Sequence, residues 1–318
     1  MIRTTGRLTK GYPLLVLRGY QPLARASVQP WTKPMIQPIR TFSAPSGQNN
    51  QESQSRIMRF IQQSKELVRF YKDGLKQIWT DNKQSKALLT KVANEGYVLN
   101  RSEFQLVHQT QKNMVKLIPF GFVFLILPES IPLLVMYVPG MVPSTCLKES
   151  QIRKQREKLD KVRQKMTMNV LKSAEQVEGI SPEDFLHRHK FQKIAKQYGY
   201  DFELSQIDRR HLSSYCRFMG INDYGPQFVL KHRLQKYMDY LDKDDKLLLQ
   251  ENTVDALDAK ELSHAVEERG MRSLDREEEE MRRALKYWLT ISQQSEPKVP
   301  AGLLVFSRMF LLNASYSS

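Results

Sequence analysis

Between Leu117 and Pro139 runs LIPFGFVFLILPESIPLLVMYVP, 23 residues whose one charge is Glu129. The hydrocarbon core of a bilayer is about 30 Å thick and takes roughly 20 residues of helix, so the run predicts a single transmembrane helix over 117–139. Its centre is costly. A carboxylate set between Pro128 and Pro132 meets a low dielectric, and each proline removes a backbone donor. Pro119, Pro128, Pro132 and Pro139 are therefore expected kinks. Glu129 is the candidate for proton or cation chemistry inside the membrane. The competing reading is a structural carboxylate, paired within an oligomer or with the N-terminal helices, because the same run offers it no partner charge.

Residues 1–51 hold Arg3, Arg7, Lys10, Arg18, Arg25, Lys33 and Arg40 and no acidic residue. That is the composition of a mitochondrial presequence. Arg40-Thr41-Phe42 before Ser43 resembles a matrix processing site, so 1–42 is expected to be removed. A basic tail for nucleic acid or acidic lipid is the weaker alternative. The whole chain carries 49 Lys and Arg against 34 Asp and Glu, and without the presequence the excess falls from +15 to about +8. The 20 residues after Pro139 contain Lys148, Arg153, Lys154, Arg156 and Lys158, whereas the 20 before Leu117 contain Arg101, Lys112 and Lys116. By the positive-inside rule, 140–318 then faces the matrix and 43–116, an N-terminal helical segment, faces the intermembrane space.

Helical periodicity dominates the rest, and the fold class is all-α. A stripe from Ile57 to Ile78 predicts a helix over Arg56 to Trp79, then a polar stretch and a second helix around Ser102 to Val115. Gln151 to Val177 repeats the period behind a basic face. Nine Lys or Arg and three acids lie between Ser144 and Lys172, which suits anionic headgroups, another polyanion or plain solvent. Ser181-Pro182 should open a helix to about Gln197, and Gly220 should close another that begins near Ser205. The turn Asp223-Tyr224-Gly225-Pro226 launches a helix with Val229, Leu230, Leu234, Tyr237, Met238 and Leu241 buried. Asp242-Lys243-Asp244-Asp245 lacks the glycine and distal glutamate of a calcium loop and reads as a helix break capped by Asp244. Asp258 with Glu261, and Asp275 with Glu278, read as capping boxes. Pro300 opens the last helix.

No phosphate-binding loop, dinucleotide fingerprint, nucleophile elbow or zinc-protease motif occurs, so an enzyme is not expected. Neither a cofactor nor a metal site is expected. His187 and His189, two residues apart, face different ways on a helix, and Cys146 and Cys216 have no pairing context. Arg209, Arg210, Lys231, Arg233 and Lys236 are candidates for contact with ribosomal RNA or an acidic protein, with a solvated surface as the alternative.

From Leu212 onward, LSSYCRFMGINDYGPQFVLKHRLQ, KDDKLLLQE, LDAKELSHAVEERGM, LKYWLTIS and PAGLLVFSRMF follow one another in the order and spacing of the LETM family of mitochondrial inner-membrane proteins. The apolar run and its exit, up to Pro143-Ser144-Thr145, resemble that family's single membrane helix. The resemblance covers about Asn100 to Leu312. It implies a matrix-facing, 14-3-3-like domain that binds the mitochondrial ribosome, supports insertion of inner-membrane proteins, and is required for potassium/proton exchange. Inner-membrane lipids and the mitoribosome are the implied partners, homo-oligomers are left open, and DNA is disfavoured by the acids at Glu277 to Glu280. A cation/proton antiporter using Glu129 is the alternative. The longer family members continue into coiled coils and often an EF-hand, whereas this sequence ends at Ser318.

Overall fold

The computed structural model describes residues 49–126, 138–174, 181–293, 296 and 298–316. The presequence and Pro128, Glu129 and Pro132 lie outside them, as does the side chain of Pro139. Among the described residues all regular structure is helical: α1 Asn49–Glu95, α2 Arg101–Ile126, α3 Glu149–Ala174, α4 Pro182–Leu186, α5 Arg188–Tyr198, α6 Arg209–Met219, α7 Gln227–Gln250, α8 Ala259–Glu268, α9 Glu278–Gln293 and α10 Ala301–Leu311. Met58–Ser318 forms one compact unit, and the first turns of α1 belong to the other.

Helices α3 to α10 close around a core to which α6 gives Leu212, Phe218 and Met219, α7 Leu230, Leu234 and Leu241, α9 Leu285, Trp288 and Leu289, and α10 Leu303, Val305 and Phe310. Helix α10 is apolar nearly all round and is buried along its length, as a helix without a polar face must be. A second, smaller core joins α1 to α2 and to the segment after the apolar run: Tyr71, Ile78, Phe120, Val142 and Cys146 are buried together.

Caps fall where short-range chemistry puts them. Ser181 and Asp184 form a capping box, Asp208 accepts from the His211 amide, and Asp258 accepts from the Glu261 amide. Gly220 ends α6 at φ 77°, a left-handed conformation that only glycine adopts cheaply.

Five local expectations change. Helix α6 starts at Arg209, capped by Asp208, and not near Ser205. The first helix does not stop at Trp79 but runs to Glu95, because neither glycine nor proline occurs between Gly74 and Gly96 and the Gln77 amide bonds Asp81 one turn on. The helix opened by Pro182 breaks at His187 and restarts at Arg188. Asp275 sits at φ 56° outside α9, which starts three residues later. Asp242 to Asp245 is no break: α7 passes straight through, and Asp244 and Asp245 are fully buried.

The reason is a buried ion network. Asp244 accepts from Arg269 at 2.7 Å, Arg101 at 3.0 Å and Gln105 at 3.1 Å. Asp245 accepts from Arg269 at 2.6 and 2.8 Å, the Trp288 indole at 2.8 Å and Ser292 at 2.9 Å. Two carboxylates and two guanidiniums balance, so no lone charge is left in the low dielectric. Burial would raise the Asp244 carboxyl, but Arg269 and Arg101 outweigh it and hold it below its ordinary range.

Among the described residues no helix is long and apolar enough to cross a membrane. Helix α2 takes in the first ten residues of the apolar run, including Pro119. Its N-terminal half packs on α7, with His108 stacked on Tyr240 at 3.7 Å.

Candidate functional site

Helix α3 follows directly on the segment 138–148, and its two faces are chemically separate. On the inner face Met166 and Val170 pack against the large core. Arg163 is buried there and donates to the carbonyls of Phe218, Glu267 and Met271 at 2.8, 2.9 and 3.3 Å, fastening α3 across the ends of α6 and α8. Asp160 is held by Arg272 at 3.1 Å, and Arg156 by Glu267 at 3.0 Å.

The outer face presents Lys154, Lys158, Lys161, Lys165 and Lys172, all exposed. Their spacing of four, three, four and seven keeps them within about 60° of one line along the helix, over roughly 27 Å. Among the described residues none of the five is in an ion pair. Arg153, Arg156 and Arg163 are each engaged by the protein itself, so the free charge is concentrated in the lysines. A row of uncompensated cations at this pitch can track a phosphate backbone or an acidic helix.

The cations expected on α6 and α7 divide differently. Arg209 donates to the Gly225 carbonyl at 3.0 Å, and Arg233 donates to the carbonyls of Asn222 and Tyr224. Together they clamp the turn between α6 and α7, as do Arg217 on Asp223 and Gln227 on the Ile207 carbonyl. Arg210, Lys231 and Lys236 are exposed. Lys231 and Lys236 project about 140° apart around α7, so the five residues do not form one patch. What the turn displays instead is aromatic: Tyr224 is 81% and Phe228 73% exposed, next to Lys231. Exposed rings beside cations favour stacking on bases or on a partner surface.

The number of charges after Ser144 carries no register by itself. The lysine line was legible in the four-three-four spacing. Tyr224 and Phe228 were harder to find, because a tyrosine in a turn and a phenylalanine two residues before a buried Leu230 resemble ordinary core residues. His187 and His189 are exposed, and no cluster of metal-ligating side chains occurs among the described residues. Cys146 and Cys216 are free and buried. Glu129, Pro128 and Pro132 lie outside the described residues.

The family model described as "LETM1-like, RBD" matches residues 99–311, which take in α2 through α10. The chain is 29% identical over 271 residues to the mitochondrial proton/calcium exchanger protein of Drosophila melanogaster, covering 78% of this chain and 26% of that protein. It is 27% identical to the LETM1 domain-containing protein YLH47, mitochondrial, of Saccharomyces cerevisiae, covering 82% of this chain and 63% of the relative. Against the LETM1 domain-containing protein mdm28, mitochondrial, of Schizosaccharomyces pombe, identity is 26%, with 75% of this chain and 54% of the relative covered. The chain thus spans from about a quarter to under two thirds of the length of these relatives. With the family's domain matched over most of its length, this chain belongs to the LETM1-like family of mitochondrial proteins.

Proposed function

We propose that this protein tethers the mitochondrial ribosome to the matrix face of the inner membrane, and through membrane-protein biogenesis supports potassium/proton homeostasis. The observation that carries the reading is the line of five unpaired lysines on α3, which begins ten residues after Ser144 at the membrane exit. A helix fastened to the core by Arg163 on one face and carrying five exposed lysines on the other suits a long polyanion. The exposed Tyr224 and Phe228 add a sequence-tolerant stacking surface. The chemistry is binding, not catalysis, and neither cofactor nor metal is assigned.

The test is co-sedimentation of the full chain with purified mitochondrial ribosomes. Changing Lys158, Lys161 and Lys165 to Glu should abolish pelleting at moderate salt, while Lys231→Glu and Lys236→Glu weaken it only slightly. Unaltered pelleting of the triple variant would overturn the assignment to α3.

A second reading is favoured by one observation: a relative carries the name of a proton/calcium exchanger. On that reading Glu129 is the titrating group. Purified protein in liposomes should then move cations against protons, and Glu129→Gln should stop it; absence of flux in the parent chain would leave the tether alone.

A further inference from the structure

We propose that the cavity between α7, α9 and the start of α10 receives the side chain of an arginine carried by a basic segment of another protein. The inference goes beyond the tether described above and stands without it.

The cavity measures about 240 Å³. Its floor is apolar, lined by Leu204, Met238, Leu241, Val299 and Leu304, all buried. One close backbone approach fixes the walls: Gly302 brings α10 against the segment after α5, where a Cβ would collide with the Phe202 carbonyl. The space is therefore formed before anything enters it, which spares a ligand the cost of ordering it. Sites for whole cofactors or drug-sized ligands run to roughly 300–1,000 Å³. This one holds a single long side chain.

Carboxylates stand at the mouth. Gln235, Asp239 and Asp242 are spaced by four and three on α7, so one face of the helix turns all of them to the opening, and Glu203 joins them from the segment after α5. Asp242 is already answered, by Lys246 at 2.7 Å and Lys298 at 2.9 Å. Lys298 is 69% exposed, so an ammonium on an extended stem already rests on one carboxylate of the rim. Asp239 accepts from the Gln235 amide at 2.8 Å, and among the described residues neither Asp239 nor Glu203 is in an ion pair. At the back, Asp245 is fully engaged by Arg269, Trp288 and Ser292 and calls for no further charge.

An apolar floor below unanswered carboxylates selects an occupant with an apolar stem and a cationic head. Phosphate or a fatty acid would meet like charge at the rim. A metal ion is a poor match, because no cluster of three metal-ligating side chains occurs among the described residues. Of the two long cationic side chains, arginine presents a planar fork that matches carboxylate geometry. Glu203 and Asp239 are both exposed. Their charge reaches beyond the cavity, where it meets cations flanking the inserted one, and this favours a segment with several basic residues over a free small cation.

The test is fluorescence anisotropy of the purified full chain in detergent with a labelled hexapeptide of alternating arginine and glycine. Saturable, salt-sensitive binding is expected. Glu203→Gln together with Asp239→Asn should weaken it about tenfold or more. Ala301→Leu, which narrows the cavity without changing its charge, should do the same. Unshifted thermal melting shows that each variant is folded, and either variant alone suffices for the comparison. No saturable binding to the parent, or binding that neither variant alters, would overturn the proposal. Sensitivity to the charge change but not to Ala301→Leu would make the rim a solvated acidic face and overturn the cavity. Displacement by free arginine amide at equal arginine concentration would give the site to a small cation and overturn the peptide assignment. Lys158→Gln, Lys161→Gln and Lys165→Gln on α3 should leave peptide binding unchanged, so loss of ribosome pelleting and loss of peptide binding are separate readouts.

Discussion

At the scale of single residues, the Asp244–Asp245–Arg269–Arg101 network is the most consequential feature. Each carboxylate oxygen accepts from at least one donor, and Arg269 also bonds the Ala265 carbonyl at 2.8 Å. Removing one partner leaves the rest uncompensated. Asp245→Ala should therefore cost about 3–5 kcal/mol in urea unfolding, against roughly 0.5 kcal/mol or less for the exposed Lys231→Ala. His108 gives a pH signature. Burial, followed by the fields of Lys112 and Lys236, lowers its pKa to about 4. The unfolded chain then takes up the proton first as pH falls, so stability is complete above about 6.5 and is lost on descent to about 4. Allowing for its partial exposure, the loss is about 1–2 kcal/mol. His108→Phe, which keeps the stack on Tyr240, should flatten stability between pH 7 and 4.5; an unchanged slope would assign the effect to another group. None of this was legible in the sequence. KDDK reads as a break because its partners, Arg269 and Arg101, lie 24 and 143 residues from the aspartates they bind.

At the scale of elements, legibility followed range. Caps at Asp258, Ser181 and Gly220 depend on atoms within four residues and were readable; the passage of α7 through Asp242 to Asp245 depends on partners far away in the chain. The same distinction separates two kinds of arginine and lysine. Arg209 and Arg233 look like binding residues in sequence, but Arg209 Nε and Arg233 Nη1 hold the turn between α6 and α7. Arg233→Ala should lower stability by about 1 kcal/mol and leave ribosome pelleting near that of the parent. Lys161→Glu should do the reverse, weakening pelleting with no measurable change in the urea midpoint. Parallel losses of stability and binding in both variants would erase the distinction.

At the scale of the whole molecule, the proposed tether has a measurable reach: α3 carries its five lysines over roughly 27 Å from Lys154 to Lys172. Lys158, Lys161, Lys165 and Lys172 follow Lys154 at about 6, 10, 16 and 27 Å along the helix, so a surface potential that decays within about 8–10 Å at physiological salt could reach no more than the first few of them. If the partner of this line is single-stranded or looped RNA, each lysine that neutralises a phosphate releases about 0.7 of a counterion. The log of the association constant with a single-stranded RNA probe should therefore fall with log salt at a slope of about −3 to −4 for the five-lysine line. Lys161→Gln or Lys165→Gln should each reduce that slope by about 0.7, whereas Lys83→Gln on α1 leaves it unchanged. A slope insensitive to α3 would mean that the helix is a solvated face, and that ribosome contact, where it occurs, falls to the exposed rings of Tyr224 and Phe228.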